Sequence, residues 1–190
     1  MKYVDENTYA SSPGGVHLSR KKLRELAALV NLSLAENRKL RRKCAMLDEY
    51  LLRGDTQPAI VLSTDPLCIA AYSDEFDAVV LLKFPPELAE KYGLHEGSRL
   101  TVINTYTMHS DYSPVGLGEV TEDITPGEGF LGRYLDFSPL VGLFLTDDTA
   151  KLIEHSAAVP NSLWEYVEKL GYEYAGKQKG KTRDGLAFLR

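Results

Sequence analysis

Hydrophobic residues recur at alternating spacings of three and four over residues 19–53, and this is the most regular pattern in the chain. If Leu23 is assigned to heptad position a, seven of the nine a and d positions are apolar. Such spacing predicts one long helix with a coiled-coil seam. The a positions are Leu23, Val30, Asn37, Cys44 and Leu51, and the d positions are Leu26, Ser33, Leu40 and Leu47.

Polar residues and helix breakers mark the ends of this predicted helix. Ser19 is placed to cap its first free N–H groups, Gly54 provides a left-handed stop, and Pro58 prevents the helix from resuming. A helix over residues 20–53 would be about 51 Å long at 1.5 Å per residue. The remaining body, residues 58–176, should be about 35 Å across. The helix must therefore project, bend or pair with another chain.

The seam itself favours a partner chain. Asn37 at an a position is the residue type that fixes two strands in register, and in a parallel pair Glu36 would face Arg41 of the other helix. The sequence thus predicts a homodimer through this helix. The alternative is that the helix docks along the protein's own sheet, because a stripe of leucines is buried equally well there.

From Pro58 onward the pattern changes to short apolar runs and strand-like alternation, with three short helical segments. The predicted fold class is α+β: a long N-terminal coiled-coil-like helix followed by a compact, mostly antiparallel β body with two or three short helices. The domains are a flexible segment 1–18, the helix 19–53, the body 58–176 and a basic tail 177–190. Predicted strands are 59–63, 67–72, 78–84, 99–106, 118–124, 140–145 and 186–189; predicted helices are 85–94, 148–157 and 162–170.

The net charge of −5 conceals a strong asymmetry along the chain. Residues 1–57 hold 11 Lys+Arg against 7 Asp+Glu, residues 58–176 hold 6 against 19, and residues 177–190 hold 5 against 1. An acidic body is poorly suited to offering nucleic acid a broad docking face. The basic ends nevertheless leave a nucleic-acid-binding regulator as the second hypothesis. Its candidate anion contacts are Arg38, Lys39, Arg41, Arg42 and Lys43.

Residues 78–102 carry a local resemblance to a known family. A strand, Pro85, Leu88, Gly93-Leu94, Gly97 and a second strand follow one another, as in the core of the AbrB-type swapped-hairpin DNA-binding domain, which this stretch resembles. The resemblance implies a dimeric barrel that presents arginines to DNA. The segment departs from that pattern, because its cations, Lys83, Lys91 and Arg99, stand among Asp77, Glu87, Glu90 and Glu96.

Reactive side-chain types are densest in the polar stretch 104–119. His109, Asp111 and Glu119 could form an acid–base or metal site there, which gives a third hypothesis, a small hydrolase or metal-dependent enzyme. They could equally be solvated loop residues, with Asp111 stabilising the turn before Pro114. Beyond His109 and Asp111, the sequence supplies no third ligand at a recognisable metal-binding spacing.

Gly127, Gly129 and Gly132 match the pattern G-x-G-x-x-G of nucleotide-binding loops. No helix of useful length follows these glycines, which favours a turn.

The composition predicts an ordinary soluble protein with no cofactor. No apolar run approaches the roughly 18 residues of a membrane span, and residues 1–7 lack the apolar segment of a secretory signal. Cys44 and Cys68 have no metal or redox spacing, so reduced thiols in the cytoplasm are expected. The first hypothesis is accordingly a non-enzymatic cytoplasmic interaction protein that forms a homo-oligomer and has no membrane partner.

Overall fold

The computed structural model describes residues 10–108, 120–130, 132–177 and 180–190. Within these ranges the chain is mixed α+β, which confirms the predicted class: six α-helices surround one curled sheet of six strands. The helices are α1 Arg20–Leu29, α2 Leu34–Arg53, α3 Glu87–Tyr92, α4 Gly142–Leu145, α5 Thr149–Ala158 and α6 Asn161–Lys177. The strands are β1 Asp55–Thr64, β2 Leu67–Ser73, β3 Ala78–Phe84, β4 Arg99–Met108, β5 Tyr134–Val141 and β6 Arg183–Asp184.

The sheet has the strand order β5-β4-β1-β2-β3-β6. Its neighbours are antiparallel except for the short parallel pair β3–β6. The predicted hairpin of residues 67–72 and 78–84 is confirmed as β2–β3. β1 also pairs with β4, which places Asp55 opposite Asn104. The strand–helix–strand order of residues 78–102 is present, yet two other strands separate β3 from β4 in the sheet.

The single helix predicted over residues 19–53 is wrong, because the chain turns between α1 and α2. Asn31 adopts a left-handed φ of 48°. Ser33 then caps α2 by accepting a hydrogen bond from the Glu36 N–H, while the Glu36 carboxylate accepts one from the Ser33 N–H. This capping box starts a new helix at Leu34. The long helix that would overhang the body is therefore replaced by a bent pair.

The end of α2 also differs from the prediction. Gly54 is extended, with φ −61° and ψ 159°, rather than left-handed. A glycine is needed there for space, since a Cβ would lie 2.6 Å from the Ile103 side chain and 2.6 Å from the Tyr50 carbonyl oxygen. By contrast, Gly93 ends α3 in the left-handed conformation, with φ 61°, one residue before the end of the predicted helix 85–94.

Three strand predictions need correction. The strand expected at 140–145 ends at Val141, and Gly142–Leu145 form α4. Residues 120–124 of the expected strand 118–124 are not in a strand; 118–119 lie outside the described residues. The expected edge strand 186–189 is a 3₁₀ turn at Ala187–Leu189, preceded by β6. Helix α6 also continues past Gly171, whose missing Cβ lets the helix approach Ala70 and Leu62 of the sheet.

The predicted seam residues lie mostly inside the chain's own core. Leucines of both helices are buried against one face of the sheet, with Leu47 1 % and Leu51 0 % exposed. The buried seam residues are Leu23, Leu26, Leu40, Leu47 and Leu51; Val30 and Cys44 pack against the same cluster from partly exposed positions. The opposite face of the sheet is covered by α6 through Trp164, Val167 and Tyr174. The two helical layers thus lie on opposite sides of one sheet.

Candidate functional site

The predicted catalytic candidates His109, Asp111 and Glu119 lie outside the described residues. The other three histidines are placed, and His17 contacts the Asp48 carboxylate at 3.2 Å. His95 is exposed and contacts the Glu96 carbonyl oxygen, whereas His155 is buried and its Nε2–H donates to the Gly14 carbonyl oxygen at 2.8 Å. Across the described ranges, no three His, Cys, Asp or Glu side chains converge in a way that could hold a metal ion.

A buried polar cluster occupies one end of the sheet face that α1 and α2 cover. The Gln57 amide donates to the Asp55 carboxylate at 2.6 Å, and that carboxylate also accepts from the Ser11 hydroxyl and the Ser12 N–H. Asn104, opposite Asp55, donates to the Tyr72 carbonyl oxygen at 2.9 Å. These contacts tie β1, β2, β4 and the residues before α1 together. The three consecutive polar residues 55–57 at the start of β1 were the sequence signal for this cluster.

Burial sets the acid–base properties of two carboxyl groups in this region. Desolvation raises the pKa of Asp55, although the hydrogen bonds from Gln57 and Ser12 act in the opposite direction. Desolvation also raises the pKa of Glu75, which is partly offset by the charge of Arg133 at 2.9 Å. The hydrogen bonds give the cluster a structural role: it holds the residues before α1 against β1.

The predicted glycine turn wraps around one carboxylate. Asp77 accepts hydrogen bonds from the hydroxyls of Tyr72 at 3.1 Å and Tyr166 at 3.0 Å, and from the Gly129 N–H at 3.1 Å. A Cβ on Gly127 would lie 2.4 Å from the Asp77 carbonyl oxygen, so this glycine is required by close approach. The residues at 127–130 form a turn, as the sequence favoured, and not the start of a nucleotide-binding helix.

A large open groove of about 940 Å³ lies between α2, the end of β5 and the C-terminal residues 180–188. Most of its charged groups are engaged within the chain. Arg183 is paired with Asp123 and Asp136, and Lys43 donates to the carbonyl oxygens of Phe188 and Arg190. This groove therefore has mixed polar and apolar walls but little free charge with which to select a ligand.

A second groove, of about 710 Å³, runs between α1 and α2 and has a different character. One helical stripe on each side lines it. We call it the interhelical groove; its walls are Arg20, Leu23, Arg24 and Ala27 of α1, and Asn37, Leu40, Arg41 and Cys44 of α2. Each set follows the spacing i, i+3, i+4, i+7, which places its members on one face of a helix. The floor is apolar and the rim carries three arginines.

The charges on the helix pair are unbalanced. Its four carboxylates all have a partner. Glu25 pairs with Lys91 at 2.6 Å, and Glu49 pairs with Arg53 at 2.6 Å. Glu36 contacts the Ser33 cap, and Asp48 contacts His17 at 3.2 Å. Seven cations have no carboxylate within 4.0 Å among the residues that the structure describes. They are Arg20, Lys21, Arg24, Arg38, Lys39, Arg41 and Arg42.

The predicted anion contacts are thus divided among three surroundings. Arg41 lines the interhelical groove, and Lys43 is held by the C-terminal residues. Arg38, Lys39 and Arg42 are exposed outside both grooves. Sequence reasoning did not find the groove, because Arg20 and Arg24 join Arg41 only when the chain turns between the two helices.

Comparisons with known proteins give no assignment: no family model, no curated protein and no solved structure matches this chain. The resemblance of residues 78–102 to the AbrB-type domain consequently has no further support. Among the described helices, none combines the length and apolar character needed to cross a membrane.

Proposed function

We propose that this chain is an interaction protein that self-associates by docking an acidic surface of a second copy into the interhelical groove. The observation that carries the proposal is the pair of facing stripes, Arg20 to Ala27 and Asn37 to Cys44, with an apolar floor and an arginine rim. A groove between two helices with this spacing is suited to an amphipathic partner element.

The charge of the groove decides what kind of surface it selects. Arg20, Arg24 and Arg41 have no carboxylate within ion-pairing distance in the described part of the chain. An acidic partner would supply the missing carboxylates, and guanidinium groups bind carboxylates with two parallel hydrogen bonds. The chain's own residues 58–176 carry 19 acidic against 6 basic residues, so a second copy offers such a surface.

Sedimentation equilibrium of the purified chain at tens of micromolar tests this proposal. We expect a mass above that of one 21.2 kDa chain. The double variant Arg24→Glu/Arg41→Glu should reduce self-association on the order of 100-fold, because each change opposes like charges at the contact. The matched control Arg38→Glu/Arg42→Glu makes the same charge change on exposed residues outside the groove and should leave the mass unchanged. A single-chain mass for the wild type would overturn the proposal.

A second candidate function, nucleic-acid binding, is favoured by the exposed cations Arg38, Lys39 and Arg42. Phosphates accept contacts from any exposed cation, so duplex retention should fall similarly in both double variants. It should also fall steeply with salt, with a log–log slope of about −0.9 per neutralised phosphate. A loss of self-association in the groove variant alone indicates protein docking, whereas an equal loss of duplex retention in both variants indicates phosphate binding.

A further inference from the structure

We infer that the contact between copies is heterologous, with the outer face of α6 of one copy occupying the interhelical groove of the next. This inference rests on the proposed function and names the surface that fills the groove. It follows from three observations. The outer face of α6 has a suitable composition, α6 lies on the side of the sheet opposite the groove, and the interhelical grooves of two copies carry charge of the same sign and would repel each other.

The outer face of α6 combines exposed aromatic rings with carboxylates. Tyr166 and Tyr172 are 37 % and 46 % exposed, although Trp164 and Val167 of the same helix are buried. Glu165 is exposed beside them, and Glu168 is half-buried. Neither glutamate has a lysine or arginine within 4.0 Å in the described ranges, whereas Glu173 already contacts Lys169 and Lys177.

The residues around the outer face of α6 are acidic as well. Desolvation is the largest cause that raises the pKa of the Tyr172 and Tyr166 hydroxyls; the charge of Glu96 adds to it at Tyr172, and Asp77 and then Glu128 add to it at Tyr166. Both glutamates are exposed. The surface around α6 therefore complements an arginine rim in charge. Its tyrosine rings can also stack on guanidinium planes and cover apolar side chains.

The fold prevents α6 from reaching the groove of its own chain. α6 packs on one face of the sheet through Trp164 and Val167, and α1 and α2 pack on the other through Leu23 and Leu47. The two complementary surfaces are therefore on opposite sides of the molecule. Only a second copy can bring them together.

A symmetric contact between two interhelical grooves is disfavoured by charge. It would place Arg20, Arg24 and Arg41 of one copy against the same three residues of the other. A head-to-tail contact instead sets arginines against Glu165 and Glu168. Such heterologous contacts form rings or open chains, because a pair of copies leaves one groove and one α6 face unused.

Mixing two variants tests this arrangement. The groove variant Arg24→Glu/Arg41→Glu keeps an intact α6 face, and the face variant Glu165→Lys/Glu168→Lys keeps an intact groove. Each variant alone should sediment as a single chain. An equimolar mixture should associate again, because the intact groove of the face variant meets the intact α6 face of the groove variant and the two reversed surfaces also have opposite charges. The control Glu87→Lys/Glu90→Lys, which reverses two exposed acids on α3, should associate like the wild type.

The quadruple variant Arg24→Glu/Arg41→Glu/Glu165→Lys/Glu168→Lys reverses both partners and should recover self-association. If the wild type associates and the groove variant does not, but the face variant behaves like the wild type, the inference is overturned while the proposed function stands. A mixture that stays single-chained also overturns the inference. A wild type that remains single-chained overturns both.

Discussion

Arg183 donates a hydrogen bond to Asp136 at 2.8 Å and so joins the two outermost strands of the sheet, β6 and β5. The same guanidinium donates twice to Asp123, at 2.6 and 2.7 Å, and once to the Phe137 carbonyl oxygen at 2.6 Å. No backbone pairing links β5 to β6 in the part of the chain that is described. The Arg183 side chain therefore bridges the two edges of the sheet at this point.

Replacing Arg183 with methionine should cost about 3 kcal/mol of unfolding free energy, because two partly buried carboxylates lose their partner. Urea unfolding would measure this loss. Arg133→Met is the matched control: its side chain is 56 % exposed and, among the described residues, pairs only with Glu75, so its loss should stay below about 1 kcal/mol. Equal losses in the two variants would contradict the structural role of Arg183.

The unfolding free energy that is lost in Arg183→Met should depend on pH. The hydrogen bond from Arg183 holds the pKa of Asp123 below its usual value, despite the opposing effect of burial. A depressed carboxyl pKa contributes stability that is present above the unfolded value of about 4 and is lost as pH falls through the folded value. The difference between wild type and Arg183→Met should therefore shrink from pH 7 to pH 3. A difference that stays constant would argue against this linkage.

Asp55→Asn should have the opposite pH dependence. Desolvation raises the pKa of Asp55, so its contribution to stability is greatest below the unfolded value and declines as pH rises through the folded value. The asparagine oxygen can still accept from Ser11 and Ser12, and Gln57 can turn its amide to present its oxygen. The stability of the variant relative to wild type should therefore increase between pH 4 and pH 7 in thermal unfolding. Asp147→Asn, at a side chain that is 68 % exposed, is the control and should change the unfolding temperature little.

Leu47→Ala should destabilise the single chain by about 2–5 kcal/mol, because Leu47 is 1 % exposed in the chain's own core. Met46→Ala, at a neighbouring residue that is 40 % exposed, should cost well under half as much. Denaturant unfolding at several protein concentrations makes the distinction. A loss at Leu47 that appears only at concentrations where chains associate would indicate that this leucine belongs to an interface between chains.

Gly185→Ala should destabilise the docked C-terminal residues by about 1–3 kcal/mol, because overpacking forces neighbours to move. A Cβ on Gly185 would lie 2.3 Å from the Phe84 ring. Gly176→Ala is the control, since nothing lies within 4 Å of a Cβ there and the residue is helical. It should be neutral or stabilising by up to about 1 kcal/mol. Unfolding midpoints that shift equally in both variants would contradict the packing of Gly185 on Phe84.

The break between α1 and α2 could have been read from the sequence. Ser33 and Glu36 stand three residues apart, which is the spacing of a capping box. The heptad pattern concealed it, because Ser33 occupied a d position in the seam. Two local signals competed, and the capping signal prevailed because ending the helix lets leucines on both sides of the turn reach the same core.

The sequence by itself determined the local elements: the β2–β3 hairpin, the stop of α3 at Gly93, the turn at residues 127–130 and the apolar stripe of the helix pair. These depend on neighbours within a few positions, so periodicity and capping residues suffice. Only the tertiary structure decided that the stripe faces the chain's own sheet. Burying leucines is equally favourable against a partner or the same chain, and the pattern is identical in both cases. The tertiary structure also decided which arginines share a groove, because Arg24 and Arg41 line the same groove only through the turn that brings α1 beside α2.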